Sequence, residues 1–342
     1  MKHLLSATVL TLLLAGPALA DPNVGFDRFD FRADHRSGPI AGGLWYPVGR
    51  ATYTGLVGES MIFQPVEAYV GAAFPEGDLP LIVVSHGSGS SIDGTAWLSA
   101  ALAERGAIVV VMNHPGTTTG DSSPRRTARL AERAADMGAA LDHVLSDPEI
   151  AQHIDRERIT ALGFSLGGST VMGLAGLRLD PDAYRAYCER FGETAQDCLF
   201  LMRGGVDFDN LPPEFSADMS DPRFTSIVAV DPGYTYAAIP ESAAEIDVPV
   251  QIVSLGDDFP WFATDVRTQG SGLIDMLPNV EHAVIPNAWH YSFLPTCKPN
   301  AGQLLIEEGE DPICDDPEDW DRGAAHAASV EAIAQFLNLS AR

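Results

Sequence analysis

The sequence predicts an α/β fold with a mostly parallel central sheet flanked by helices, and three observations carry that prediction. Continuous apolar runs at residues 79–85 (LPLIVVS), 107–112 (AIVVVM) and 159–164 (ITALGF) have the composition of strands buried on both faces. Segments of helical character, 95–105 and 125–145, alternate with them. Strand, helix, strand, helix in that order requires right-handed crossovers and parallel neighbours. The last run also bends through Gly163-Phe164-Ser165-Leu166-Gly167 into small and apolar residues suited to a buried helix, so that 159–175 reads ITALGFSLGGSTVMGLA.

Taken in order, the chain opens with Lys2 and His3, an apolar run at 4–15, and Pro17-Ala18-Leu19-Ala20. Small residues closing a short apolar run read as a secretory signal cleaved after Ala20, too short to span a bilayer. Residues 1–20 are therefore expected to be removed, leaving 21–342 as an exported protein, periplasmic or secreted. No cysteine stands directly after the cleavage site, so a lipid anchor is not indicated, and no other stretch is long and apolar enough to cross a membrane. Residues 25–33 and 42–48, which carry Trp45 and Tyr46, suit an opening antiparallel pair of strands, and a loop rich in Gly and Pro follows.

The strand at 79–85 ends in His86-Gly87-Ser88-Gly89-Ser90, the helix at 95–105 is closed by Gly106, and the strand at 107–112 ends in Asn113-His114-Pro115-Gly116. The α/β pattern breaks at 179–223, a polar stretch with Pro181, Pro212, Pro213, Pro222 and two cysteines. It is expected to be a small cap inserted over the mouth of the site. Strands resume at 224–230, 248–255 and 280–285, and 323–337 closes the chain as a helix. Length alone would permit two domains, but this element order describes one large domain with an insertion.

The net charge of −26 is scattered along the chain, which argues against nucleic acid or an anionic membrane as partner, since both require basic surface. The acidic run 311–321 lacks a twelve-residue EF-hand loop and is expected to be a solvated face. No Cys/His cluster has metal-ligand spacing, so neither metal nor cofactor is expected. Four cysteines fit an oxidising compartment; Cys188 with Cys198 and Cys297 with Cys314 would each close a short loop, the alternative being four free buried thiols. Oligomeric state leaves no mark in the sequence.

The chemistry centres on Ser165. A serine at the tip of so tight a turn needs nearly side-chain-free residues two before and two after it, and Gly163 and Gly167 meet that need. The helix that follows would aim its unpaired N–H groups at a developing oxyanion. A glycine-rich packing turn is the competing account. A serine hydroxyl becomes nucleophilic only when a base takes its proton, and His290, in Asn287-Ala288-Trp289-His290-Tyr291, follows the last strand where that base belongs. His282 lies within a strand and His326 on the closing helix, while His86 and His114 suit loop bracing. The base needs a carboxylate to fix its tautomer; Asp231 follows one strand, and Asp258, or its neighbour Asp257, follows the next.

Residues 81–89 (LIVVSHGSG), the elbow LGFSLGGSTV and the stretch VAVDPGYTYAAIP resemble the dienelactone-hydrolase-related exported esterases and the platelet-activating-factor acetylhydrolases of the α/β-hydrolase superfamily. The resemblance runs from about residue 79 onward. It implies the α/β-hydrolase fold, Asp231 as the acid, and an oxyanion hole built from the amides of Ser88 and Leu166. The chain departs from that pattern by keeping Asp257-Asp258 at the usual acid position as well. The implied activity is cleavage of a small carboxylic ester through an acyl-enzyme. The same triad would serve an acyltransferase, thioesterase, amidase or lactonase, and a binding protein without turnover would keep the fold alone. Trp261, Phe262, Trp289, Tyr234 and Tyr236 suit either an apolar substrate pocket or core packing.

Overall fold

The computed structural model describes residues 23–257, 260–317 and 320–340. The expected signal segment lies outside these residues. Ten strands form one sheet: β1 (Val24–Phe31), β2 (Ile40–Pro47), β3 (Tyr53–Val57), β4 (Val66–Val70), β5 (Leu79–Ser85), β6 (Ile108–Met112), β9 (Ile154–Phe164), β10 (Ser226–Val230), β11 (Val250–Leu255) and β12 (Val280–Ile285). Between β6 and β9, β7 (Thr117–Thr118) and β8 (Asp121–Ser122) make a separate small ladder. The order across the sheet is β12-β11-β10-β9-β5-β6-β2-β1-β4-β3. From β12 to β6 every neighbouring pair is parallel, and β2 pairs antiparallel with both β6 and β1.

Side chains of successive strand residues enter opposite layers. Leu81 and Val83 join a core with helices Leu130–Ser146 and Leu166–Leu174, whereas Ile82 and Val84 join a second core with helices Ala96–Glu104 and Arg322–Phe336. Burial on both faces explains why these strands read as unbroken apolar runs, each large side chain contributing roughly 1.5–3 kcal/mol. Among the described residues, no helix is long and apolar enough to cross a membrane.

Three local readings are corrected. The stretch between β2 and β5 is not all loop, because β3 and β4 pair antiparallel and extend the sheet beyond β1. Edge strands need bury only one side, and Tyr53 and Leu56 stay exposed, so the apolar run that marks a buried strand is missing. The helix expected at 125–145 is broken into Pro124–Thr127 and Leu130–Ser146; at the break, Arg126 and Arg129 both pair with Glu132 at 3.0 Å. In the acidic run 311–321, Asp316 is half-buried and hydrogen-bonded and Asp321 caps the closing helix, so it is not simply a solvated face.

The segment between the elbow helix and β10 holds helices Pro181–Phe191 and Gln196–Arg203, joined by the Cys188–Cys198 disulfide. Asp180 caps the first of them, with proline at its first position and Gly192 ending it at φ 52°. Tyr184 and Tyr187 both donate to the Asp197 carboxylate, at 2.8 and 3.1 Å. Tyr187 stacks on Tyr236 at 4.2 Å, and Tyr236 on Phe262 at 5.5 Å. The second disulfide joins Cys297 to Cys314, so both pairings are the short-loop ones expected.

Candidate active site

The chain runs from β5 to β6 on one side and returns to place β9 on the other, so the order reverses at β5. In an open parallel sheet that reversal leaves a crevice beyond the carboxyl ends of the strands, where ligands bind. Ser165 stands there, directly after β9, partly exposed and with φ 56°. A non-glycine residue in that region costs about 1–3 kcal/mol, and such strain collects at functional sites. The glycines that permit the turn have no room for a side chain. A Cβ on Gly163 would strike the Gly167 carbonyl, and one on Gly167 would strike the Ser85 carbonyl.

Asp231 follows β10 in the same tier, almost fully buried and also at positive φ, 41°. Its Oδ1 accepts Leu255 N–H at 2.9 Å and its Oδ2 lies 3.0 Å from His290 Nδ1. His290 begins a single helical turn after β12, and its Nε2 lies 3.0 Å from Ser165 Oγ. The acceptor at Nδ1 assigns the proton there, leaving Nε2 to accept from the serine hydroxyl. Trp261 stacks on the imidazole at 4.2 Å and Phe164 lies against it at 4.8 Å. The loop after Asp231 is locked to the elbow: Gly233 N–H donates to Ser165 O at 3.1 Å, and Ser169 Oγ to Gly233 O at 2.8 Å.

The structure therefore brings Ser165, His290 and Asp231 together. Asp258 lies outside the described residues; its neighbour Asp257 is exposed, its carbonyl accepting from Arg267 at 3.1 Å. Ser88 is exposed in the turn after β5, and a Cβ on neighbouring Gly87 would come within 3.4 Å of Ser165 Cβ, so that turn abuts the serine. Leu166 is the first residue of the elbow helix, where N–H groups lack an intrahelical acceptor. His282 bonds Ser254 at 2.9 Å; His326 stacks on Trp97 at 3.6 Å and donates to Leu294 O. Of the aromatic candidates, Tyr234 is buried with its hydroxyl on Thr127, Tyr236 and Phe262 stack on each other, and Trp289 bonds Asp316. Trp261 alone among them touches the imidazole.

A second Ser-His-Asp series lies beneath the site. Ser85 Oγ is 2.9 Å from His114 Nε2, and His114 Nδ1 is 2.9 Å from Asp136 Oδ2. All three are inaccessible, which excludes them as a site for substrate. The buried Arg133 guanidinium donates to the Ser85 hydroxyl, the His86 carbonyl, Thr117 and Thr170, tying the end of β5 and the turn at Thr117 to the middle of the elbow helix. Burial, followed by the charge of Arg133, lowers His114 to about 4; burial, followed by His114 and then Arg133, lowers His86 well below its ordinary value. Burial alone would raise the Asp136 carboxyl, but hydrogen bonds from His114, His35 and Arg36 outweigh it and hold it well below the usual range. Arg133 and Asp136 escaped the sequence reading because their helix looked polar; their i, i+3 spacing on the face of Leu130 and Met137 was the available signal.

Fold and site together describe a class in which a parallel sheet presents a serine, a histidine and an acid above its strand ends. The Alpha/beta hydrolase family model matches residues 82–335, and the chain belongs to that family. No match exists among curated proteins. A ferulic acid esterase from Streptomyces cinnamoneus has a similar structure, with TM-score 0.59 and 17% identity over 95% of this chain and 92% of that one. A dienelactone hydrolase-like promiscuous phosphotriesterase from metagenomic libraries is similar at TM-score 0.48 and 17% identity, covering 92% of this chain and 98% of that one. At these identities the likeness to solved structures concerns the fold alone.

Proposed function

We propose that the protein is an exported serine hydrolase that cleaves carboxylic esters through an acyl-enzyme on Ser165. The observation that carries this reading is the unbroken series Ser165 Oγ, His290 Nε2, His290 Nδ1, Asp231 Oδ2, with both contacts at 3.0 Å and the serine partly exposed. In the proposed reaction Ser165 Oγ attacks the ester carbonyl while His290 Nε2 takes its proton. The amides of Ser88 and Leu166 meet the oxyanion, each worth roughly 3 kcal/mol. His290 then returns the proton to the leaving alcohol, and a water activated by the same imidazole releases the acid. Asp231 holds the tautomer and balances the imidazolium charge.

Export is supported by the leader-like pattern of residues 1–20 and by two disulfides in the chain. Within the family, the finer likeness to dienelactone-hydrolase-related and platelet-activating-factor acetylhydrolase-type esterases belongs to this proposal, as does the reading of 179–223 as a cap gating access. The test is Ser165→Ala: the purified parent hydrolyses p-nitrophenyl acetate and takes up a fluorophosphonate probe, and the variant does neither. Equal rates in the two proteins defeat the assignment.

A further inference from the structure

The turn that delivers His290 is fastened on both sides to one carboxylate. Trp289 Nε1 and Ser292 Oγ each donate to Asp316 Oδ1 at 2.8 Å. The Ser292 hydroxyl also accepts Trp289 N–H at 3.1 Å, closing a ring of bonds around the histidine's own backbone. The second oxygen, Oδ2, accepts Arg322 Nε at 2.7 Å. Arg322 is buried at the start of the closing helix and donates further to the carbonyls of Pro295, at 3.0 Å, and Ile313, at 2.7 Å. The Cys297–Cys314 disulfide ties those two flanks of the segment together, with Asp316 two residues beyond Cys314.

From this arrangement we propose that Asp316 is a positioning residue for His290, holding the imidazole in register with Ser165 and Asp231. The proposal rests on the serine-hydrolase reading above. Its physical case is that residues 290–293 form one short helical turn, and so short a helix has little stability of its own. The base works only while Nε2 keeps within hydrogen-bond reach of the serine, and a misplacement of about 1 Å costs on the order of 100-fold in rate. A carboxylate suits this role because the bonds it accepts as an anion are shorter and stronger than those between neutral groups. Burial would raise its pKa, but the hydrogen bond and charge of Arg322, with the Trp289 and Ser292 donors, bring it below the ordinary value.

The experiment compares Asp316→Ala, Asp316→Asn, Trp289→Phe and Ser292→Ala with the parent, each as the full exported chain with its disulfides formed. The readouts are kcat and KM on p-nitrophenyl acetate, the rate of fluorophosphonate labelling at Ser165, and the melting temperature. Asp316→Ala is expected to lower kcat and labelling about 10- to 100-fold with KM within about twofold. Trp289→Phe keeps an aromatic ring and loses the donor, and Ser292→Ala loses the hydroxyl; each is expected to lower kcat about three- to tenfold. Asp316→Asn keeps one acceptor oxygen and recovers part of the loss. If Asp316→Ala does not fold, the Trp289 and Ser292 variants decide. Variants that keep kcat and labelling within twofold of an active parent overturn the proposal, as does a loss that only follows the folded fraction. A parent that neither turns over nor labels overturns the hydrolase reading and this role with it.

Discussion

Replacing Asp231 with asparagine tests the polarity of the candidate triad without changing its shape. The two oxygens of Asp231 both accept, one from Leu255 N–H at 2.9 Å and one from His290 Nδ1 at 3.0 Å. An amide has one oxygen and one NH₂ group, so it can satisfy only one of these donors. If the oxygen keeps Leu255, the NH₂ faces Nδ1 and selects the imidazole tautomer protonated at Nε2. That tautomer cannot take the Ser165 proton. The expected fall in kcat is about 10⁴-fold, or roughly 5 kcal/mol of barrier. The stability loss is smaller, on the order of 1–3 kcal/mol for one mismatched buried group. The assay is kcat on p-nitrophenyl acetate at pH 8 beside thermal unfolding, with Asp258→Asn expected to stay near the parent rate. An Asp231→Asn enzyme within tenfold of the parent, or a larger loss in Asp258→Asn, would refute the assignment of the acid.

Other predictions concern the elbow, the buried histidines and the cross-links. Gly163→Ala places a methyl group on the Gly167 carbonyl, with no flexible side chain able to yield, and should cost about 1–3 kcal/mol or more and abolish activity, as read by melting and turnover. His114 and His326 are each lowered to about 4, the latter first by burial, and His86 is lowered too. The unfolded chain therefore binds more protons than the folded one between about pH 6.5 and 4, and stability falls as pH drops through that window, by up to about 3 kcal/mol for His326 alone. A melting temperature that stays flat from pH 7 to 4.5 contradicts this. Removing the Cys188–Cys198 pair, which closes a separation of 10 residues, should cost about 3 kcal/mol in denaturant titration.

The parts of the fold that the sequence disclosed are those where burial leaves a one-dimensional trace. β5, β6 and β9 read as apolar runs because both their faces are covered, and Gly163 and Gly167 mark a turn in which backbone fills the space of two side chains. β3 and β4 left no such trace, since their ladder is made by backbone groups that every residue carries. The acid was undecided for a related reason: the ends of adjacent strands lie so near one another that chain order admits either, and only the fold shows Asp231 turned on His290. Asp316 was hidden among acidic neighbours, since pairing depends on what folds against it rather than on its surroundings in the chain.

The stacked rings of Tyr187, Tyr236 and Phe262 bear on how this scaffold can be altered. Phe262 is the chain neighbour of Trp261, whose indole rests on the His290 ring. The helices between the elbow and β10 and the imidazole are thus joined by stacked rings on either side of one peptide link, that between Trp261 and Phe262. Exchanging the helices that carry Tyr187 would therefore also disturb the packing that leads to the ring resting on His290. Loop exchange and turnover cannot be tuned as independent variables unless the donor segment brings a flat ring to the place of Tyr187.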